Sequence, residues 1–460
     1  VDKPHHWVPG IAERKRQLDA IGVSDPLELY RDVPSELILS EPPRVGYGRV
    51  LSEEELRRIA LKLASRNRLY RTPPPFTGGG YCPHLVPSVV DYIVSRGEFL
   101  TAYTPYQPEI NQGLLQALFE YQSLIADLVE LEVVNSSLYD GSTAVAEAAL
   151  MALRVTRRHR LVVASTLHPE YMAVLRTWLL GKNVELITVP MMEDTYTIDI
   201  DVLERLVNNE TAAVIVPSPN FYGALELEME RIADIAHKHD SLLVHVFEPL
   251  SLGLVKPPGR LGADIAVAEG QPLGLGLNYG GPGLGIMAVR WDRRLLRQLP
   301  GRLIGMTRDV DGRHAFTMIL QTREQHIRRE KATSNITTNE ALMAVRAAIF
   351  MALLGGSGLR RLARTIWLRS HYLAKRLAES LNAYSPLFTS PFFKEFTVRF
   401  NVDYEPVYKR LAAEGLLAGL PLRARYGLGS KGDAIFCVTE LHSMKDIDML
   451  VDKLASTLQD

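Results

Sequence analysis

The sequence predicts an α/β fold: a mainly parallel sheet covered by helices on both faces. Three observations carry that reading. Six short apolar runs, at 161–164, 184–188, 213–217, 242–246, 263–267 and 285–289, recur through the middle of the chain. Amphipathic helix patterns at 144–157, 169–180, 199–208 and 226–239 lie between most of them. The composition is globular, with 47% hydrophobic and 23% charged residues in 460. That excludes a disordered chain and exceeds one ordinary core.

The elements follow in order. Residues 1–75 read as helical and irregular. Ser52 with Glu55 three positions on forms a capping box, and the helix it opens is expected to run to about Arg68. Thr72 to Gly80, with three prolines and three glycines, then breaks regular structure. An N-terminal helical arm is therefore expected over 1–85. A helix at 113–130 shows Leu114, Leu118, Tyr121, Ile125 and Leu128 on one face, ahead of the strand-like Val133 and Val134. The large domain is expected over 86–335. Two long helices, about 338–354 and 358–382, flank Gly355-Gly356-Ser357-Gly358. A small α/β unit closes the 336–460 region, with strands near 396–401 and 435–439 and helices near 404–414 and 443–458.

Charge and cysteine content narrow the function classes. The chain has 52 basic and 53 acidic residues, a balance that argues against a general nucleic-acid binder. Cys82 and Cys437 are far apart and form no CxxC pair, so both are expected reduced in a cytoplasmic protein, with no metal site. The polar start, Val1 to His6, has no apolar leader segment. No window is expected to approach the ~18 apolar residues of a membrane span.

Ligands in such sheets bind beyond the carboxyl ends of the strands. Gly141-Ser142-Thr143, before a helix expected near Ala144, offers N–H groups, hydroxyls and a helix dipole to a phosphate. Capping by Ser142 or Thr143 is the competing reading. His168 follows a strand and precedes a helix, where an imidazole can stack on a flat cofactor or bond to backbone. Asn220 suits a ring oxygen or simple turn chemistry. Glu248, just past the strand 242–246, can face a protonated ring nitrogen. Four such loops on successive strand ends point to the large domain of pyridoxal-phosphate enzymes of fold type I.

Longer motifs are more specific. Tyr103-Thr104-Pro105-Tyr106-Gln107-Pro108-Glu109-Ile110-Asn111-Gln112-Gly113, Gly280-Gly281-Pro282-Gly283, Gln298-Leu299-Pro300-Gly301-Arg302 and Pro391-Phe392-Phe393-Lys394-Glu395-Phe396 resemble the glycine-cleavage P-protein family. The resemblance covers nearly the whole chain. It implies a half-length, alpha-type subunit of a decarboxylating glycine dehydrogenase. The complex implied is α2β2, with pyridoxal phosphate carried by the beta subunit. Its reaction releases CO2 and passes an aminomethyl group to the lipoyl group of H-protein.

Fold-type-I enzymes hold the cofactor as a Schiff base to a lysine after the strand that here is 263–267. Ala268-Glu269-Gly270-Gln271 stands there instead, and no lysine occurs from 257 to 330. With 13 lysines in 460 residues, those 74 positions would hold about two by composition, so position matters more than scarcity. Lys256 lies before the strand, not after it. Two residues depart from the family pattern: Glu248 where Asp is usual, and Asn111 where Ser is expected. The resemblance therefore implies no catalytic lysine on this chain, and a remnant pocket of Ser142, Thr143, His168, Asn220 and Glu248.

Two segments are candidates for completing the partner's site. Asn335, Thr337, Thr338 and Asn339 offer amides and hydroxyls to a phosphate, or cap a helix. Tyr103, Thr104, Tyr106 and Gln107 suit a tunnel for a lipoyl arm, or subunit packing. Gln321 to Lys331, with Arg323, Arg328, Arg329 and Lys331, reads as a docking face for an acidic carrier or as a solvated or interface-paired helix. Two other readings stand beside these: a freestanding pyridoxal-phosphate aminotransferase or decarboxylase, and a non-catalytic structural or regulatory paralogue.

Overall fold

The computed structural model describes residues 10–41, 43, 45–67, 73–381 and 383–459. Val1 to His6, Arg68 and Thr72 lie outside them. Two compact units form, residues 1–69 and residues 70–460. In the first, helices Ile11–Ile21 and Glu53–Ala64 are joined by irregular chain. The expected capping box is present: the Glu55 N–H donates to the Ser52 hydroxyl at 3.3 Å, and the Ser52 N–H donates to the Glu55 carboxylate at 3.0 Å. None of the described residues of this unit is buried.

The second unit is built on seven strands: β1 (Val133–Val134), β2 (Arg160–Ala164), β3 (Glu185–Val189), β4 (Thr211–Ser218), β5 (Leu242–Phe247), β6 (Ile265–Glu269) and β7 (Gly285–Val289). Their order is β1-β7-β6-β5-β4-β2-β3. The run from β6 to β3 is parallel, and β7 is antiparallel to both neighbours. Side chains alternate between faces. Leu161, Val163, Ile215 and Val267 pack with the helix Gly141–Thr156 on one face. On the other, Val162, Val214 and Leu243 pack under helices Ile200–Leu206 and Met229–His237. Ala266, Ala268 and Ile286 of that face meet helices Gln112–Val129 and Ala341–Leu381. Burial on both faces explains why the strands read as unbroken apolar runs.

Several sequence expectations change. The helix expected near Ala144 starts at Gly141, and its cap is Asp140, whose carboxylate accepts from the Thr143 N–H at 2.8 Å. The two long helices form one element, Ala341–Leu381, broken at Gly355 (φ 58°). That element is long and apolar enough by length and composition to cross a membrane, contrary to the expectation of no such window; here it packs Ala344, Val345, Ala347 and Phe350 into the core. Residues 321–331 do not make one helix. They break into short turns, with Arg329 in left-handed backbone (φ 51°). An unexpected hairpin, β8 (Ile304–Arg308) with β9 (His314–Met318), precedes them.

The small C-terminal sheet pairs β10 (Glu395–Arg399), β11 (Leu420–Pro421) and β12 (Asp433–Cys437) in the order β10-β12-β11, all antiparallel. A strap from Pro73 to Leu85 runs along it. The Phe76 N–H donates to Leu417 O, the Cys437 N–H to Phe76 O and the Gly78 N–H to Ile435 O. This strap sets Cys82 against Cys437, and the two form a fully buried disulfide across 355 positions. The expectation of two reduced cysteines is therefore corrected, because proximity made by the strap has no signature in spacing. Cross-linking so long a segment restricts the unfolded chain. Cys437→Ser is expected to lower stability by about 2–5 kcal/mol. Denaturant unfolding with and without a dithiol reductant measures this; equal midpoints for the oxidised and reduced chain contradict the bond.

Candidate functional site

The carboxyl ends of β2, β4, β5 and β6 converge on one pocket. His168, Asn220, Glu248 and Glu269 line it from the large sheet, Gly80 from the strap, and Lys394 from the start of the small sheet. Its free space is about 100 Å³, below the ~300–1,000 Å³ of small-molecule sites.

Glu269 ends β6 and is buried. One carboxylate oxygen accepts from the Gly141 N–H at 2.9 Å, at the start of the helix Gly141–Thr156. The other accepts from the Gln271 N–H at 2.9 Å and the Leu284 N–H at 3.0 Å. Burial pushes the Glu269 carboxyl up, and the backbone donors of Gly141 and Leu284 pull it back. The three N–H donors favour the ionised form against that rise. Burial, followed by the Glu269 carboxylate, raises the Tyr81 hydroxyl well above the ordinary phenol range. Glu340 is pushed up to about 7, first by burial and then by Asp140 and Glu269.

His168 caps the helix Pro169–Leu179. Its Nδ1 accepts from the Glu170 N–H at 3.1 Å, which leaves Nε2 to donate to Gly79 O at 2.8 Å. Gly80 lies against the edge of the ring in left-handed backbone (φ 94°), where a Cβ would sit 3.0 Å from the imidazole Cδ2. Only glycine suits that position. The strap thus closes the Nε2 edge of the imidazole, held by the Gly79 and Gly80 N–H groups on the Glu395 carboxylate at 2.7 and 3.0 Å.

Glu248 sits just past β5, as expected, but its carboxylate is occupied. It accepts from the Ser251 N–H at 2.6 Å and from Lys394 Nζ at 2.8 Å. Lys394 is 3.1 Å from His84 Nε2, and His84 Nδ1 is 3.0 Å from Glu440. An ammonium beside Nε2 requires that nitrogen to accept, so the His84 proton lies on Nδ1 and is donated to Glu440. A buried chain Glu248–Lys394–His84–Glu440 therefore joins the large sheet, the strap and the small domain.

The other expected site residues are placed as follows. Ser142 donates to Asp140 at 2.6 Å, and Thr143 is buried. Asn220 donates to Tyr196 O at 2.7 Å and accepts from the Tyr222 N–H at 3.0 Å, which is turn chemistry. Gln271 is buried with both side-chain amide atoms unpaired. Lys256 is exposed, away from the pocket, and paired with Glu230 at 2.7 Å. The Tyr103 ring is fully exposed, and the Gln107 side chain faces outward. Tyr106 is buried, with its hydroxyl 3.2 Å from Ser136 Oγ and Arg302 over its ring. Thr104 O accepts from the Asn111 side chain at 2.6 Å, which gives Asn111 a local role. Asn335 and Thr338 are exposed, and Thr337 is half-buried. Asn339 accepts from Ser137 Oγ at 2.5 Å and donates to Thr337 O at 2.9 Å. Ser136 and Ser137 are neighbours, so the structure brings the 103–107 and 335–339 segments together. Arg323 points inward, donating to Leu299 O and Gly301 O, and offers nothing to a docking carrier.

Sequence reasoning missed Lys394, Tyr81 and His84. Lys394 carried a signal: a lysine inside Pro391-Phe392-Phe393-Lys394-Glu395-Phe396 is a charge in an apolar run, which needs a buried partner. Tyr81 and His84 carried none.

The pocket does not fit pyridoxal phosphate. The helix-start amide that would meet a phosphate is bonded to Glu269, the strap closes the Nε2 edge of His168, and Lys394 holds Glu248. The carboxyl groups of Asp140 and Glu269 also occupy that helix start.

A sequence model described as glycine cleavage system P-protein matches residues 4–454. A probable glycine dehydrogenase (decarboxylating) subunit 1 from Aeropyrum pernix is 52% identical over 99% of both chains. One so described from Staphylothermus marinus is 50% identical over 99% of both. Among solved structures, a glycine decarboxylase (P-protein) of the glycine cleavage system in inhibitor-bound form superposes with a TM-score of 0.89 at 42% identity, over 99% of this chain and all of the other. A glutamate decarboxylase from Lactobacillus brevis, at 15% identity and TM-score 0.67 over 93% of this chain and 97% of the other, shares the fold.

Removing one partner of a buried ion pair leaves the other charge uncompensated. Lys394→Met is expected to cost about 3–5 kcal/mol, and Lys394→Met with Glu248→Gln to recover most of it. Denaturant unfolding of the two variants checks this; equal losses contradict the pairing. A carboxyl raised in the folded state stabilises fully below its ordinary 4.5, and that contribution is lost as pH rises through about 7. Glu340→Gln is expected to flatten the fall in thermal midpoint across that window, whereas an unchanged pH profile contradicts the assignment.

Proposed function

The chain belongs to the glycine cleavage system P-protein family, and on that premise we propose that it serves as subunit 1 of a heteromeric decarboxylating glycine dehydrogenase in the cytoplasm. The assembled enzyme decarboxylates glycine, releases CO2 and passes the aminomethyl group to the lipoyl arm of H-protein. Its pyridoxal phosphate belongs to a second, beta-type subunit in an α2β2 complex. The observation that carries this reading is the end of β6, where Glu269 and Gln271 stand in place of a Schiff-base lysine.

This subunit's part is to complete the partner's active site. Tyr106 and Asn339 anchor two segments on Ser136 and Ser137, which supports one continuous face carrying Tyr103, Thr104, Gln107, Asn335, Thr337 and Thr338. Small hydroxyls and amides there can donate to a phosphate held by the partner. The N-terminal unit by itself carries exposed Leu27, Leu29, Leu37, Leu39 and Val50, apolar side chains of the kind a partner covers.

Co-expression with a second chain of similar length tests the proposal. Glycine–bicarbonate exchange with lipoylated H-protein is expected from the pair and from neither chain alone. Full activity of the second chain by itself contradicts the proposal. In the intact pair, Thr337→Val with Thr338→Val is expected to lower the cofactor retained after dialysis. Unchanged retention and turnover remove those two residues from the site.

A further inference from the structure

We propose that the pocket of this chain holds an intramolecular occupant in place of a cofactor: the Glu269 carboxylate takes the anion position at the helix start, the Gly79–Gly80 peptide takes the Nε2 edge of His168, and the Lys394 ammonium takes the Glu248 carboxylate. Three separate segments converge to make this occupant. Glu269 comes from β6, the peptide from the strap, and Lys394 from the start of the small sheet. Each satisfies a group that a bound ligand would otherwise have to meet. The Gly141, Gln271 and Leu284 N–H groups all end on Glu269. The Gly79 carbonyl accepts the His168 proton. Lys394 and the Ser251 N–H supply donors to Glu248.

The consequence is mechanical. An open pocket between two layers lets them move, whereas Lys394 on Glu248 and the strap on His168 hold the layers closed without a ligand. The chain then presents a fixed face to its partner. This deepens the proposed function by saying why this subunit needs no cofactor of its own.

The test uses the full chain. Incubation with pyridoxal 5′-phosphate, borohydride reduction and peptide mapping are expected to leave Lys394 unlabelled. Label on Lys394 overturns the proposal, even if the paired enzyme retains full exchange activity. Glu269→Ala removes the carboxylate and leaves three N–H groups facing a small void. Its thermal midpoint is expected to fall, and formate to raise it by about 1–2 °C over chloride at equal ionic strength. The same formate is expected to leave the unaltered chain unmoved. If Glu269→Ala does not fold, Glu269→Gln keeps the shape and loses the charge, and a lower midpoint is again expected. A formate response equal in variant and unaltered chain, or a Glu269→Gln midpoint equal to the original, overturns the proposal.

Discussion

The start of the helix Gly141–Thr156 imposes the constraint on which the pocket depends. It is buried at the end of β6, and its first N–H groups have no partner within the helix. A buried N–H must find an acceptor, and the positive end of the helix dipole favours a negative one. Asp140 serves the Thr143 N–H, and Glu269 serves Gly141. Because Glu269 belongs to this chain, no ligand is required to complete the helix end. The acidic surroundings then make a phosphate unwelcome.

The other contacts of the pocket follow from that choice. The strap that crosses the pocket mouth carries Tyr81, whose hydroxyl is raised by burial and then by Glu269. The same strap brings His84 to Lys394 and Cys82 to Cys437. Lys394 is tolerated as a buried cation because Glu248 lies 2.8 Å away. A carboxylate that would suit a protonated ring nitrogen instead holds a lysine from the small domain. The site is thus a closed joint between layers of the molecule.

Much of the scaffold is legible in the sequence. Strands buried on both faces leave unbroken apolar runs, and the run at 242–246 corresponds to β5 with an error of one residue. That no lysine follows β6 is legible in the sequence alone. What fills the pocket is not. The Cys82–Cys437 bond, the contact of Gly80 with the edge of His168 and the ion pair of Lys394 with Glu248 join residues 355, 88 and 146 positions apart. Such contacts depend on the path of the strap and the docking of the small sheet, which local periodicity does not encode. The hairpin of β8 and β9 escaped for a different reason: exposed strands such as Gly305 to Arg308 lack the apolar signal.

The central claim is that one half of the enzyme carries the cofactor and this half carries its own filling. Counting pyridoxal phosphate released on denaturing the purified complex, against the protein content of each chain, tests it most directly. One cofactor for each pair of unlike chains is the predicted result. Two for each pair, one of them bound through this chain, would contradict it.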